Sequence, residues 1–188
     1  SNSQKEKINK YIKSCKFAFV NDDFSNKQMS FFKNNKINVG KITRGIDKNI
    51  FFKKKINKNY FFNKYKINPN NKLIFFCGRI HRLKGAILLS KINKILLEEG
   101  CEVTTVMAGE NIHGEDCLKV CQKNLLILDY INQDEISKFY NICDLFVFPS
   151  IYESGPQVIL EARACGAVCI VSKDGGGKRI KKNGEDGV

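Results

Sequence analysis

From residue 73 onward, short apolar runs alternate with longer amphipathic stretches. The runs at 73–77, 103–108, 125–128, 145–148 and 168–171 end at polar or turn residues, which is typical of fully buried strands. The stretches 84–97, 115–123, 134–140 and 156–165 space their apolar residues as one face of a helix does. Five strands separated by helices predict an α/β fold with a doubly wound, Rossmann-like parallel sheet.

The first 72 residues are less regular. A helical pattern at 5–14 precedes a short strand at 17–20, a helix at 22–33 and a strand at 36–43, and a lysine-rich connector over 51–71 follows. Because the first strand has no sheet of its own to join, we expect residues 1–36 to be the end of a preceding domain and residues 37–188 to form the main domain. The chain does not start with Met and stops in a turn-like NGEDGV, which indicates a fragment.

Around residue 153, a tight loop joins a buried strand to a helix. Pro156 suits the first helical position, with Ser154 or Gly155 as the N-cap. Glu153 lies just before this helix, and Glu161 follows Pro156 by roughly 7 Å along the axis at 1.5 Å per residue. The two carboxylates therefore bracket the N-terminus of the helix.

This helix N-terminus suits an anion such as a phosphate, because the N–H groups of Gln157 and Val158 and the helix dipole favour negative charge there. A carboxylate accepts hydrogen bonds from two neighbouring hydroxyls. Glu153 and Glu161 on either side of a diphosphate would therefore suit a nucleotide-sugar. The alternative is that both are ordinary solvated glutamates, which the helix dipole also stabilises.

A basic loop, GRIHRLKG at residues 78–85, follows the strand at 73–77. Ligands of such sheets bind at the carboxyl ends of the strands, so this loop and Glu153 should share one rim. The guanidinium of Arg79, which can donate two parallel hydrogen bonds, and the compact ammonium of Lys84 would neutralise a diphosphate, which carries about two negative charges. The chain has no D-x-D pair, so we expect no metal and no other cofactor. Ordinary surface cations are the alternative.

Charge is distributed unevenly along the chain. Residues 1–72 carry +14, from 18 Lys and Arg against 4 Asp and Glu, whereas residues 73–188 carry −1, from 14 against 15. Two explanations of this positive charge are equally good. One is a coding bias toward Lys and Asn, and the other is a surface that binds anionic lipid or an anionic acceptor. A nucleic-acid-binding module is a further alternative.

Cysteine and histidine usage argues against a metal site. Most of the eight cysteines lie in apolar segments, which predicts buried thiols in a reducing cytoplasm. Two cysteine pairs are four residues apart without a histidine cluster, so zinc is not expected. His81 and His113 are interpreted as surface residues in loops. No apolar run approaches the roughly 20 residues that cross a membrane, and the N-terminus has no apolar signal region.

Four motifs occur in a recognisable order: GRIHRLKG, FVFPSIYESGPQVILEARACG with its Glu-x7-Glu spacing, VSKDGGG and NGEDG. Together they resemble the C-terminal domain of the family 4 retaining glycosyltransferases of GT-B fold. KITRGIDKNIFF is similar to the interdomain segment of that family. The resemblance implies that residues 1–36 end an acceptor-binding N-terminal domain and that residues 37–188 form an incomplete nucleotide-sugar-binding domain.

The resemblance also implies a role for individual residues. Arg79 and Lys84 would grip the donor diphosphate and stabilise the leaving nucleotide, while Glu153 would face the transferred sugar. The donor-binding positions would be Gly78, Tyr130, Ile131, Ser154, Gly155, Gln157, Val158 and Glu161, with Glu161 on the ribose hydroxyls and Tyr130 and Ile131 against the base. Many members of the family have Gly where this chain has Pro156.

The implied activity is transfer of a hexose from a nucleoside-diphosphate sugar to an acceptor hydroxyl with retention, in cell-envelope glycan or glycolipid synthesis. It further implies a glycan or lipid-linked acceptor, no metal, no nucleic acid, and a cytoplasmic protein with contact to the inner face of an anionic membrane. The fragment alone is expected to be inactive. The alternatives are another GT-B enzyme, of the sugar-nucleotide epimerase or phosphorylase type, and the nucleic-acid-binding module.

Overall fold

The computed structural model describes residues 6, 10–12, 14–21, 26–42, 45–151, 153 and 155–175. The chain divides into two compact units, Ser1–Gly45 and Ile46–Val188. The last two residues of the motif VSKDGGG, the whole of NGEDG and Ser154 lie outside the described residues. The assignment of residues 1–36 to the end of an acceptor-binding domain stays a prediction.

The first unit contains a small parallel sheet. Strand β1 (Phe17–Asn21) and strand β2 (Asn38–Ile42) pair in parallel, and helix α1 (Asn26–Asn34) connects them. The first strand therefore has a partner in its own unit, contrary to our expectation. Phe17 and Phe19 pack together on this sheet with ring centroids 4.8 Å apart. Gly40 makes room for them, since a Cβ there would lie 2.9 Å from the Phe19 ring.

The second unit is built on five parallel strands, which confirms the predicted α/β fold. The strands are β3 (Lys72–Cys77), β4 (Val103–Ala108), β5 (Leu125–Leu128), β6 (Leu145–Phe148) and β7 (Cys169–Val171). They are ordered β5-β4-β3-β6-β7. The order reverses at β3, so the ends of β3 and β6 form the crevice in which such sheets bind ligands.

Helices connect the strands. They are α2 (Lys58–Tyr65), α3 (Ala86–Glu98), α4 (Gly114–Val120), α5 (Gln133–Ile142) and α6 (Gln157–Ala164). Helix α3 packs on α4 and β4, while α5 packs on α6 and β3. Because parallel crossovers are right-handed, this strand order places the two helix pairs on opposite faces of the sheet.

An aromatic cluster forms the core between the sheet and α5. Phe75 of β3 stacks on Phe139 of α5 with centroids 4.7 Å apart, and Tyr140 meets Phe146 of β6 edge-to-face at 5.2 Å. All four side chains are almost completely buried. Full burial of one such side chain contributes about 1.5–3 kcal/mol, so this cluster fixes α5 firmly on the sheet.

Helix α2 lies inside the stretch that we predicted to be a connector, and that prediction was wrong. Asn57 caps the helix by accepting a hydrogen bond from the Tyr60 N–H at 3.0 Å. Phe61 and Phe62 are buried, and Phe61 packs edge-to-face on Phe139. Burial of two adjacent aromatic side chains stabilises a helix that its Lys-rich and Asn-rich sequence obscures.

Two helix starts differ from the predicted ones. The helix expected from residue 84 is interrupted, because the 3₁₀ turn Arg82–Lys84 ends at Gly85 with φ 80° before α3 begins. Pro156 is the N-cap of α6 and not its first helical residue, since its ψ of 123° is extended. Gly155 precedes it with φ 103°, a conformation that glycine adopts without strain.

The cysteines in or beside the strands and helices of the second unit lie mostly in the core, as expected: Cys77, Cys165 and Cys169 are buried and Cys143 is half-buried. Burial raises the pKa of the Cys77 thiol to about 12. Within the described ranges, no three His, Cys, Asp or Glu side chains form a group that could hold a metal ion. None of the helices described is long and apolar enough to cross a membrane.

Candidate functional site

A cleft of about 410 Å³ opens at the carboxyl ends of the strands of the second unit. It is lined by the last residues of β3, β4 and β6, by the loops after β3, β4, β5 and β6, by α5 and by the start of α6. The lining residues are Cys77, Gly78, Arg79, Lys84, Ala108, Gly109, Glu110, Tyr130, Ile131, Ile136, Phe148, Glu153, Pro156, Gln157 and Val158. The basic loop at residues 78–85 and the loop of Glu153 are thus brought to one rim of the sheet.

Two glycines let the loops after β3 and β4 approach closely. Gly109 has φ 139°, and a Cβ on it would lie 2.3 Å from the carbonyl oxygen of Gly78. Beyond the glycines, the Ile80 N–H donates to the Glu110 carbonyl at 2.8 Å, and Ile80 forms an isolated parallel bridge with Asn111. The two loops therefore continue the pairing of β3 and β4 past the end of the sheet.

Arg79 lies at the mouth of the cleft and forms an ion pair with Glu110. The Arg79 Nε atom is 2.9 Å from Oε2 of Glu110, and the two side chains are 57% and 66% exposed. Ion pairs this exposed contribute at most about 1 kcal/mol. Arg79 can therefore exchange Glu110 for another anion at little cost.

Lys84 and Glu153 face each other deeper in the cleft. The Lys84 Nζ atom forms an ion pair with Oε1 of Glu153, and the side chains are 29% and 14% exposed. Oε1 also lies 3.0 Å from the hydroxyl of Ser150. The backbone N–H of Glu153 donates to the Asp174 carbonyl at 3.3 Å, so the segment after β7 holds this loop in place.

Helix α6 points its N-terminal end at the cleft. Gln157 and Val158, its first two residues, both line the cleft. The positive end of a helix dipole and the first N–H groups of a helix together favour an anion. Pro156 contributes no N–H group to this end of the helix.

Glu161 lies one turn further along α6 and does not line the cleft. Its Oε2 atom accepts a long hydrogen bond, 3.5 Å, from the hydroxyl of Tyr140, a side chain buried in the aromatic core. Burial raises the pKa of Glu161 above its ordinary value of 4.5, and the bond from Tyr140 opposes this rise. The carboxylate therefore stands behind the cleft wall.

Part of the cleft lining is apolar. Tyr130 is 85% exposed on the loop after β5, and Ile131 and Ile136 lie beside it on the lining. An exposed aromatic ring next to aliphatic side chains offers a flat surface on which a planar base can stack. Phe148, buried at the end of β6, also lines the cleft.

Most of the expected site residues meet at the cleft. The structure places these on its lining: Gly78, Arg79, Lys84, Tyr130, Ile131, Glu153, Gln157 and Val158. Gly155 is buried beside the lining, Glu161 lies behind it, and Ser154 is not among the described residues. Sequence reasoning missed Glu110 and Ser150. The strand-end rule that located Arg79 after β3 could also have located Glu110, which follows β4.

His81 and His113 are not the simple surface residues that we expected. Their rings pack edge-to-face with centroids 4.6 Å apart, and both residues are half-buried. The contact arises because the His113 N–H donates to the Ile80 carbonyl at 2.9 Å, which holds the loops after β3 and β4 together. A long-range loop contact of this kind has no sequence signal.

The cleft combines two cations, two carboxylates and a helix N-terminus. In this structure each cation is paired with a carboxylate, Arg79 with Glu110 and Lys84 with Glu153. A phosphate group entering here would exchange one set of charge-assisted hydrogen bonds for another. The arrangement can hold an anionic group between the cations and α6, with an apolar surface for a planar ring on one side.

Comparison with known proteins finds a matching family and similar sequences. The family described as "Glycosyl transferases group 1" matches residues 57–188. A protein of Methanocaldococcus jannaschii named "Uncharacterized glycosyltransferase MJ1607" is 29% identical over 93% of this chain and 46% of its own length. The "Capsular polysaccharide biosynthesis glycosyltransferase CapM" of Staphylococcus aureus is 32% identical over 82% of this chain and 42% of its own. The chain thus spans about half the length of these relatives.

Solved structures share the fold. The C-terminal domain of the glycosyl transferase group 1 family protein LpcC from Francisella tularensis is 25% identical with a TM-score of 0.64, covering 76% of this chain and 78% of that one. Anabaena Alr3699/HepE, solved in complex with UDP-glucose, is 20% identical with a TM-score of 0.69, covering 92% of this chain and 49% of that one. Since the family match spans more than half of its residues, this chain belongs to the Glycosyl transferases group 1 family.

Proposed function

We propose that this chain is the donor-binding part of a retaining glycosyltransferase, which moves a hexose from a nucleoside-diphosphate sugar to an acceptor hydroxyl. The convergence of Arg79, Lys84 and the N-terminus of α6 on one cleft beside Glu153 carries this proposal. Because the chain spans about half of its relatives, the activity of the whole protein is part of the proposal.

The diphosphate would lie between the two cations and α6. Binding would transfer Arg79 from Glu110 to a phosphate oxygen and Lys84 from Glu153 to another. The N–H groups of Gln157 and Val158 would donate to the same group. Charge-assisted hydrogen bonds of this kind are roughly twice as strong as neutral ones, which supports the assignment of phosphate to this end of the cleft.

The two ends of the donor would take different surfaces. Tyr130 and Ile131 offer the base a ring and an aliphatic side chain, whereas Glu153 offers the sugar hydroxyls a carboxylate. Glu161 is proposed to meet the ribose hydroxyls. Because its carboxylate stands behind the cleft wall against Tyr140, this contact requires its side chain to turn toward the cleft.

In the proposed reaction, the anomeric carbon gains positive charge while the diphosphate leaves with negative charge. Arg79 and Lys84 would act by stabilising that negative charge electrostatically. Two cations and a helix N-terminus suffice to match a diphosphate, so the proposal includes no metal and no other cofactor. Glu153 would orient the sugar, and attack on the same face would need no covalent nucleophile.

The acceptor is proposed to be a glycan or a lipid-linked sugar of the cell envelope. The name of CapM, which refers to capsular polysaccharide biosynthesis, supports this class. The surplus of +14 in residues 1–72 supports a cytoplasmic protein that touches the anionic inner face of a membrane. Nucleic acid is not a proposed partner, and we expect the 188-residue chain alone to be inactive.

Calorimetric titration of the chain with UDP, GDP and ADP tests the proposal, with UMP, GMP and AMP as controls for the second phosphate. At least one diphosphate should bind more tightly than its monophosphate. Arg79→Ala should weaken that binding about 10- to 150-fold, from the loss of a charge-assisted hydrogen bond.

Arg82→Ala is the matched control, because Arg82 is an exposed cation of the same loop that does not line the cleft. It should leave the affinity unchanged. Equal losses in the two variants, or no binding of any diphosphate, would contradict the proposed function. Steeply salt-dependent binding of duplex DNA would instead support the nucleic-acid alternative.

A further inference from the structure

A side-chain cap stands at the base of the loop that carries Lys84. The Nδ1 atom of His81 accepts a hydrogen bond from the Leu83 N–H at 3.1 Å. His81 thereby caps the 3₁₀ turn Arg82–Lys84 from an extended conformation, with φ −136° and ψ 149°. Such a cap satisfies a backbone N–H at the start of a helical turn and fixes the direction in which the chain enters it.

The same residue, Leu83, contacts the loop that carries Glu153 through its carbonyl group. The Leu83 carbonyl accepts a hydrogen bond from the Ile151 N–H at 2.9 Å and lies 3.3 Å from the Ser150 hydroxyl. That hydroxyl also lies 3.0 Å from Oε1 of Glu153, and its one hydrogen can serve only one of the two acceptors at a time. Leu83 therefore contacts His81 through its N–H group and the loop after β6 through its carbonyl group.

We propose that His81 is a positioning residue for the nucleoside diphosphate. A ring nitrogen of His81 fixes the Leu83 N–H, and the Leu83 carbonyl holds the Lys84 turn against the loop of Glu153. His81 contacts neither of these charged side chains through a described hydrogen bond, so it acts through the backbone. This inference rests on the proposed function, because it concerns the same cleft.

The chemistry of the cap makes the position of Lys84 sensitive to pH. A histidine nitrogen accepts a hydrogen bond only while it is unprotonated, and imidazolium is a donor at both nitrogens. Protonation of His81 would turn an N–H toward the Leu83 N–H and break the cap. Loss of this acceptor on acidification would release the Leu83 N–H and weaken the binding of diphosphate.

Other titratable groups surround this loop and must be separated from His81. His113 meets the ring of His81 from the loop after β4, and its buried Nδ1 atom has no hydrogen-bond partner among the described residues. The charged residues on the segments that contact the loop are Arg79, Arg82, Lys84, Glu110 and Glu153. The second histidine therefore needs a variant of its own.

The experiment compares four forms of the 188-residue chain: wild type, His81→Asn, His81→Ala and His113→Phe. Asparagine keeps a capping acceptor without a titrating group, alanine removes the acceptor, and phenylalanine keeps an aromatic ring at position 113. Kd is measured by calorimetry at pH 8.0 and pH 5.5 for the diphosphate among UDP, GDP and ADP that binds most tightly. Titration of the phosphate itself affects all four forms alike.

His81→Ala should raise Kd about 2- to 30-fold at pH 8.0, the fold-change that corresponds to loss of an N-cap. His81→Asn should match wild type at pH 8.0 and should lose less affinity than wild type at pH 5.5. His113→Phe should keep the wild-type pH dependence. Wild-type affinity in His81→Ala, or the same pH dependence in His81→Asn as in wild type, would overturn the inference.

Amide hydrogen exchange, measured without nucleotide, separates this inference from the proposed function. The Leu83 amide should exchange faster in His81→Ala than in wild type and His81→Asn, while the Ile80 amide, bonded to the Glu110 carbonyl, should not change. Unchanged exchange of Leu83 would overturn the inference even if wild type binds a diphosphate. Faster exchange with no diphosphate bound by wild type would show the cap but overturn both the proposed function and the role of His81 in it.

Discussion

Replacement of Glu153 by Gln should have opposite effects on two ligands of the cleft. Glu153 holds Lys84 in an ion pair within a partly buried setting, and Ser150 supports the same carboxylate oxygen. A diphosphate must take Lys84 away from this carboxylate, whereas the sugar of a complete donor is proposed to use the carboxylate as an acceptor. Glutamine has the same shape and removes only the charge.

The expected magnitudes follow from the strength of charged hydrogen bonds. Such a bond contributes about 1.5–3 kcal/mol, and partial exposure of Lys84 places this pair at the lower end. Without the competing charge, Glu153→Gln should bind UDP about 5- to 10-fold more tightly. UDP-glucose should lose a charged acceptor for its hydroxyls, so its affinity relative to UDP should fall by about tenfold or more.

The assay is calorimetric titration of UDP and UDP-glucose, with the GDP and ADP counterparts if uridine is not the preferred base. Lys84→Met provides the companion measurement and should weaken UDP about 10- to 150-fold. In the Lys84→Met background, Glu153→Gln should increase the affinity for UDP less than it does in wild type, because no Lys84 charge is left for Glu153 to pair with. Weaker UDP binding in Glu153→Gln, or the same gain with and without Lys84, would refute the competition.

Three further predictions concern stability. Burial raises the pKa of Glu161, so the folded chain holds this proton to a higher pH than the unfolded chain, and the stability of wild type falls as pH rises above 4.5. Glu161→Gln should therefore melt at a higher temperature than wild type at pH 7 and at the same temperature below pH 4.5. A lower melting temperature of the variant at pH 7 would contradict this. Gly85→Ala should lower the free energy of unfolding in urea by about 1–3 kcal/mol, because Gly85 has φ 80° and a Cβ would lie 2.3 Å from the Pro149 carbonyl oxygen. An unchanged urea midpoint would refute this close approach. Phe139→Ala should lower the free energy of unfolding by about 3–5 kcal/mol in the same assay, and a decrease below about 1 kcal/mol would contradict the burial of Phe139 in the core.

The strands of the second unit could be predicted from the sequence because burial on both faces of a parallel sheet requires continuous apolar runs. Three of the five, at 103–108, 125–128 and 145–148, match the structure at both ends. Helix ends were harder to predict. The break at Gly85 depends on its contact with Pro149, which is 64 positions away in the chain and leaves no local pattern.

The residues at the rim of the candidate site could be predicted from the sequence, but their detailed contacts could not. The rule that ligands bind at strand ends places Arg79, Lys84 and Glu153 on one rim, because parallel strands end at the same edge. It does not give the rotation of α6, which turns Glu161 toward Tyr140. Nor does it reveal which carboxylate each cation meets, since the pair of Arg79 with Glu110 depends on how closely two loops approach.

Mapping of a bound nucleoside diphosphate by amide NMR tests the central claim most directly. On titration with UDP, or with GDP or ADP if one of these binds more tightly, the largest shifts should fall on Gly78, Tyr130, Gln157 and Val158. The amides of the basic first 72 residues should shift little. Shifts concentrated in those first residues, with none at the start of α6, would contradict the claim that this cleft holds the diphosphate.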